Sequence, residues 1–242
     1  MTDYMRLLET VVTKRTENFK YLKRIHEGGV YWLNVGLVTT DNIMKYYRSS
    51  QDLLKKRVHL FFFLGLSLGP FLQIPNGSLY LHSLNCLLDE FSTKFKVKKH
   101  KKVKLPLNEE DEKFLNSRNV ISGSSNEKHK FLMIPDVNTE NFDYLQIVYA
   151  LFDLLSHLSR KYLDPNCENK LFYECIVAID DWFYKLIIKP IVKEIHEISA
   201  SMITRELTTF DPLFNSAFQG FLKVKKEMIE ENNQKKEIKQ EN

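Results

Sequence analysis

Val58-His59-Leu60-Phe61-Phe62-Phe63-Leu64-Gly65-Leu66-Ser67-Leu68-Gly69-Pro70 is the most apolar run of the chain, and it opens a stretch, residues 58–88, that holds no Asp, Glu, Lys or Arg. Such a stretch has to be buried in something. A membrane-spanning helix takes about 20 apolar residues, whereas this run stops at Gly69-Pro70 and is followed by Gln73, Pro75, Asn76 and Gly77. Runs of about 10–14 apolar residues are more often core helices. The reading is a central helix inside a water-soluble bundle, and no transmembrane span is expected. Gly65 and Gly69, four apart, would share one face of that helix and admit a close neighbour.

The segments on either side carry a helical period. Met5, Leu8, Val12, Phe19 and Leu22 recur at close to 3.6 residues, with Thr2 and Asp3 able to cap the start and Gly28-Gly29 to stop it. Val30-Tyr31-Trp32-Leu33 reads as a short buried helix, and Thr40-Asp41 as the cap of a next helix carrying Ile43, Met44, Tyr46 and Tyr47. Asn76-Gly77-Ser78 offers caps for a helix with Leu84, Leu87, Leu88, Phe91 and Phe95 on its apolar face. Leu145, Val148, Phe152, Leu155, Leu158 and Tyr162 mark another, ending near Asp164-Pro165. Then Ile176, Ile179, Phe183, Ile187, Ile191, Ile195, Ile198 and Met202 keep the period through Pro190, which should kink that helix or divide it. Phe210, Leu213, Phe214, Phe218 and Phe221 form a last apolar segment.

The expected fold is all-α: an irregular multi-helix bundle of about six to eight helices with one long mobile insertion. It forms a single domain, residues 1–222, interrupted at about 98–138, and residues 223–242 read as a charged tail, partly helical or disordered. In the insertion the apolar period disappears and Pro106, the cluster Glu109-Glu110-Asp111-Glu112 and Ser122-Gly123-Ser124-Ser125-Asn126 follow one another. Two pieces of it have more to bury. Asn108 can cap a turn carrying Phe114 and Leu115, and Phe131-Leu132-Met133-Ile134 can dock onto the body.

Thirty-five Lys and Arg stand against 31 Asp and Glu, a net charge of +4. Seven of those cations, Lys94, Lys96, Lys98, Lys99, Lys101, Lys102 and Lys104, fall within eleven residues that contain no acid. Outside that window 28 cations face 31 anions, so any polyanion binding belongs to this one segment. Interleaved with Phe95, Val97 and Val103, these lysines suit an anionic lipid surface, the phosphates of nucleic acid, or a nuclear import signal at residues 98–102. They also suit a plain solvated helix end where a loop begins.

Signals for chemistry are sparse. Neither a P-loop nor a dinucleotide-binding glycine pattern is present. The pairs His82/Cys86 and Asp153/His157 and the acids around His196, Glu194 and Glu197, are spacings any helix produces, and read as a half-buried His, a core Cys and solvated charges rather than a metal centre. No nucleophile sits in a protease or hydrolase context. Asp180 and Asp181 are adjacent and point about 100° apart on a helix, so they do not form an acid/base pair. No metal and no cofactor is expected. The three cysteines, Cys86, Cys167 and Cys175, are odd in number and irregularly spaced, as thiols of a reducing compartment are. With no secretory or organellar address at the start, the expected location is cytoplasmic or nuclear.

Three functions follow. The first is a non-enzymatic adaptor or subunit of an intracellular assembly, binding one or more protein subunits through apolar helix faces, with Phe210, Leu213, Phe214, Phe218 and Phe221 as partner-binding residues. The second is a peripheral membrane or polyanion-binding protein that uses the seven lysines. The third is an enzyme with an unfamiliar all-helical pocket, for which Tyr31, Trp32, His82, Asp153 and His157 are the residues to follow.

Overall fold

In the computed structural model, residues 3–117, 121–122, 128–164 and 169–211 are described, with Ser216, Gly220 and Lys223 beyond them. The chain is mostly helical. Helix α1 (Asp3–His26) is followed by a hairpin of β1 (Tyr31–Trp32) and β2 (Gly36–Leu37), then α2 (Thr40–Arg48) and α3 (Gln51–Leu68). A 3₁₀ turn (Gly69–Leu72) leads to α4 (Ser78–Lys94) and α5 (Glu109–Ser117). A second two-stranded hairpin, β3 (Ile121–Ser122) with β4 (Lys128–His129), precedes α6 (Tyr144–Arg160), α7 (Lys170–Phe183) and α8 (Lys189–Phe210).

The apolar run at 58–68 lies in α3 and is core, as its lack of charge requires: Val58, Leu60, Phe61, Phe63, Leu64 and Leu68 are all buried. Helix α6 is the hub, packing against α1 and α3 through Val148, Leu151, Phe152 and Leu155. Among the described residues no helix is long and apolar enough to cross a membrane. The glycines play a smaller part than their spacing suggests. A Cβ on Gly65 would meet Leu151 Cδ1 at 3.9 Å, an ordinary contact, and one on Gly69 would meet nothing within 4 Å.

Helix ends follow the local chemistry. Helix α1 ends in a Schellman turn: Gly28 adopts φ 78°, its N–H bonds the Ile25 carbonyl, and the Gly29 N–H reaches back to Arg24. Thr39, one residue ahead of the expected cap, closes α2 in a reciprocal box with Asn42. Gly77 starts α4 at φ 100° with no side-chain cap. Asp143 caps α6 and Asn169 caps α7. The division at Pro190 is realised through a π turn (Tyr184–Ile188), in which the Lys189 N–H bonds the Tyr184 carbonyl five residues back. Widening the coil there places Pro190, which has no N–H to give, in the first turn of α8.

Residues 30–33 are not a helix. They form the first hairpin, in which Tyr31 pairs with Leu37 and Trp32 with Gly36. Leu33 (φ 48°) and Asn34 (φ 59°) carry the positive φ values that tight hairpin turns need. Only Trp32 points inward, stacking on Tyr21 at 5.7 Å, which is why the all-apolar spelling misleads: the chain alternates faces where a helix would not.

A buried polar network ties the bundle together. Arg57 of α3 pairs with Glu194 of α8, both side chains about nine-tenths buried. Glu194 also accepts from the Tyr47 hydroxyl (2.6 Å), which meets the Tyr144 hydroxyl (2.9 Å), itself 3.4 Å from His26 Nε2. Burial, first of all, raises both tyrosine pKa values and lowers that of His26 to about 4. Glu194 is thus a core residue and not a solvated charge; five helices, α1, α2, α3, α6 and α8, meet through it.

Candidate functional site

The lysine window begins in the last turn of α4 and continues as an anchored segment rather than a loose loop. Helix α4 stops at Lys94, and Lys96 takes a left-handed conformation (φ 50°) while the Val97 N–H bonds the Ser92 carbonyl, turning the chain back over the body. From there residues 97–107 form an extended strap. Val97, His100, Val103, Leu105 and Leu107 face inward, and Lys96, Lys98, Lys99, Lys101, Lys102 and Lys104 face solvent.

Three buried side chains hold the strap. Trp182 Nε1–H donates to the Lys98 carbonyl (3.0 Å), and the Ser92 hydroxyl approaches the same oxygen. Asn85, fully buried in α4, bonds the His100 ring through its Oδ1 and the Val103 carbonyl through its Nδ2 (3.3 Å). Burial lowers the His100 pKa to about 4 and so keeps the ring neutral at pH 7. Further along, Asn108 Oδ1 caps α5 by accepting from the Asp111 N–H, and Leu115 is buried, while Glu90 accepts the N–H groups of Lys130, Phe131 and Leu132, each at 2.9 Å. Both docking pieces read in the insertion are thus seated on the body.

The strap forms one wall of a cleft of 540 Å³. Lys96, Lys98, Lys99 and Lys101 line it on one side, Lys56 of α3 and Lys185 of the π turn on others, and Asp181 is the carboxylate in its lining. A second cleft of 740 Å³ shares Lys98 and Lys185 and is lined further by Lys189, Lys193 and His196 of α8, with Trp32, Leu33, Pro190 and Val192 as its apolar lining. Together, sharing Lys98 and Lys185, they form one groove lined by eight lysines and two histidines, His100 and His196. Two of the lysines are partnered, Lys185 by Asp181 and Lys193 by Glu197 at 3.7 Å; Lys56, Lys96, Lys98, Lys99, Lys101 and Lys189 make no ion pair among the described residues.

Of the seven sequence candidates, four line the groove. Lys94 lies in the last turn of α4, and Lys102 stands near His82, Cys86 and His100, whose electrostatics it affects. Lys104 is exposed and outside the groove. The lysines missed from sequence are Lys56, Lys185, Lys189 and Lys193. The last three carry a usable signal, a four-residue spacing with His196 three residues further on, which keeps all four near one helical face.

The other candidates do not gather. Tyr31 and Trp32 belong to the first hairpin, whereas Asp153 is on α6 paired with Lys23 (2.7 Å), and the neighbouring His157 ring bonds the Asp153 carbonyl. His82 lies on α4, half-buried. Asp180 forms a two-pronged pair with Arg15, both distances 2.6 Å, and Asp181 turns away to Lys185. Among the described residues no three of His, Cys, Asp and Glu are grouped to hold a metal ion. Cys175 is buried with its pKa raised to about 11, Cys86 is half-buried, and Cys167 lies outside the described residues. Phe210 is 93% exposed at the end of α8; Leu213, Phe214, Phe218 and Phe221 lie outside the described residues.

Comparison with protein-family models, with curated proteins and with solved structures finds no match for this chain.

Proposed function

We propose that this protein is a non-enzymatic binding protein that docks onto a phosphate-bearing polyanion through the lysine groove. One observation carries the reading: eight lysines drawn from α3, the strap, the π turn and α8 converge on two adjoining clefts whose lining contains a single carboxylate. Gathering like charges costs repulsion, and an anionic partner relieves it while gaining the entropy of released counterions. A solvated helix end would need neither the buried anchors under the strap nor matching lysines on other elements.

The test is binding of a fluorescent oligonucleotide, heparin and anionic vesicles across a salt series, with wild type and with Lys98, Lys99, Lys185 and Lys189 replaced by Gln. Affinity for at least one polyanion should fall linearly on logarithmic axes as salt rises, and losing each phosphate contact should flatten the slope by about 0.7–0.9. Absence of binding to all three at low salt, or binding unaltered by the four replacements, would overturn the reading.

A second reading, the adaptor, rests on Phe210, whose almost complete exposure supports an apolar contact with a protein subunit. Phe210→Ser should then abolish co-purification of that subunit without altering thermal stability; an unchanged complex would reject Phe210 as the contact.

A further inference from the structure

The first hairpin stands beside the groove and is built contrary to what a free surface favours. Tyr31, Leu33 and Val35 are 55%, 62% and 63% exposed, and Leu37 lies directly opposite Tyr31, so the outward face of the hairpin is apolar apart from Asn34 in the turn. Its tip is strained, since Leu33 sits in the left-handed region that branched apolar residues avoid. It is also rigid. The Tyr21 hydroxyl donates to the Tyr31 carbonyl (3.0 Å) and accepts from the Leu33 N–H (2.8 Å), and Trp32 is wedged against Tyr21 beneath. Gly36 lets the hairpin lie on α8, where any Cβ would come within 3.1 Å of the Ser199 hydroxyl.

We propose that this hairpin is an apolar wedge that enters the interfacial region of an anionic lipid bilayer while the groove lysines lie on its headgroups. The inference rests on the polyanion reading and names the source of the phosphates. Charge complementarity argues for it: Trp32 and Leu33 line the same cleft as Lys98, Lys185, Lys189 and Lys193, which places cations beside the wedge, where headgroups would lie around an inserted apolar turn. Asp181, the carboxylate of the adjoining cleft, and Glu197, outside both linings, are already paired with Lys185 and Lys193. Nucleic acid fits less well, because Tyr31 is the single ring on that face, and Leu33, Val35 and Leu37 offer none on which a base can stack. Lysines spread over three elements also suit a fluid array of headgroups, whose charges rearrange to meet them, better than one fixed partner surface.

The experiment is vesicle sedimentation with the full chain, comparing phosphatidylcholine vesicles with and without phosphatidylserine, and oligonucleotide binding run in parallel. Leu33→Asn with Val35→Ser removes the wedge, and because asparagine tolerates the left-handed conformation the variant should fold at least as well. Wild type should bind only the serine-lipid vesicles. The double variant should bind them about a hundredfold more weakly, in keeping with the loss of two buried apolar side chains, and should bind oligonucleotide as wild type does. In Leu33→Trp, tryptophan emission should shift blue on vesicle addition and be quenched by lipids brominated on their acyl chains. Vesicle binding unaffected by the double variant, or with no shift in Leu33→Trp, overturns the wedge while leaving the groove reading standing. Oligonucleotide binding without vesicle binding overturns it in favour of nucleic acid. Failure to bind either polyanion at low salt removes the groove reading and this inference together.

Discussion

Replacing Arg57 by Met tests the buried network that sets the bundle's geometry. Methionine fills much of the volume of the arginine stem, so the substitution mainly removes the guanidinium paired with Glu194 and leaves that carboxylate buried with the Tyr47 hydroxyl as its remaining donor. Breaking one half of a buried pair costs about 3–5 kcal/mol, most of it the penalty of an uncompensated charge. With a urea slope of about 2–3 kcal/mol/M, the unfolding midpoint should fall by about 1.5 M without a change in slope. Arg57→Met with Glu194→Gln removes the stranded charge and keeps an acceptor for Tyr47, so it should recover about half of the loss or more, a clear departure from additivity. The reasoning is refuted if Arg57→Met costs less than about 1 kcal/mol, or if the double variant costs the sum of the two singles.

Three further outcomes follow from particular contacts. Glu90→Ala removes the acceptor of three backbone N–H groups, so hydrogen exchange at Lys130, Phe131 and Leu132 should become fast and stability should fall by about 2–3 kcal/mol, whereas exchange in α6 should stay slow. His26 and His100 both have folded pKa values depressed by burial to about 4, against about 6.5 unfolded. The unfolded chain therefore binds protons first, and their contribution, full above pH 6.5, should be lost as pH falls from 6.5 toward 4; His26→Gln should flatten that part of a stability profile measured by urea titration. Gly65→Ala should raise stability by about 0.5–1 kcal/mol, because the added methyl meets Leu151 at ordinary contact distance and the unfolded chain loses freedom; a lower thermal midpoint would show that α3 and α6 cannot accept it.

What was legible in the sequence is whatever repeats along the chain with a helical period. The uncharged run could only be core, and the face of α6, the interruption at Pro190 and the docking of Phe131 and Leu132 were all readable from spacing. The first hairpin was not, because Tyr31-Trp32-Leu33 is apolar on both faces and periodicity has nothing to alternate against; the structure resolves it by burying Trp32 alone. Glu194 was illegible for another reason, since its partner Arg57 lies 137 residues away and only the fold brings them together.

The strap shows where composition misleads. Averaged over its length, residues 97–107 are too charged to bury anything, which is how a disordered segment reads. Resolved residue by residue, Val97, His100, Val103, Leu105 and Leu107 are spaced so that an extended chain can seat each of them while the lysines between stay wet. Charge density and anchoring are therefore compatible, provided the body supplies specific acceptors and donors, and here Asn85, Ser92 and Trp182 do so at backbone carbonyls as well as at side chains. Pinning a polycation in this way holds its charges close together against α3 and α8, which a free loop would not do. That fixed closeness, more than the number of lysines, is what the proposed polyanion binding would use and a solvated tail of the same composition would lack.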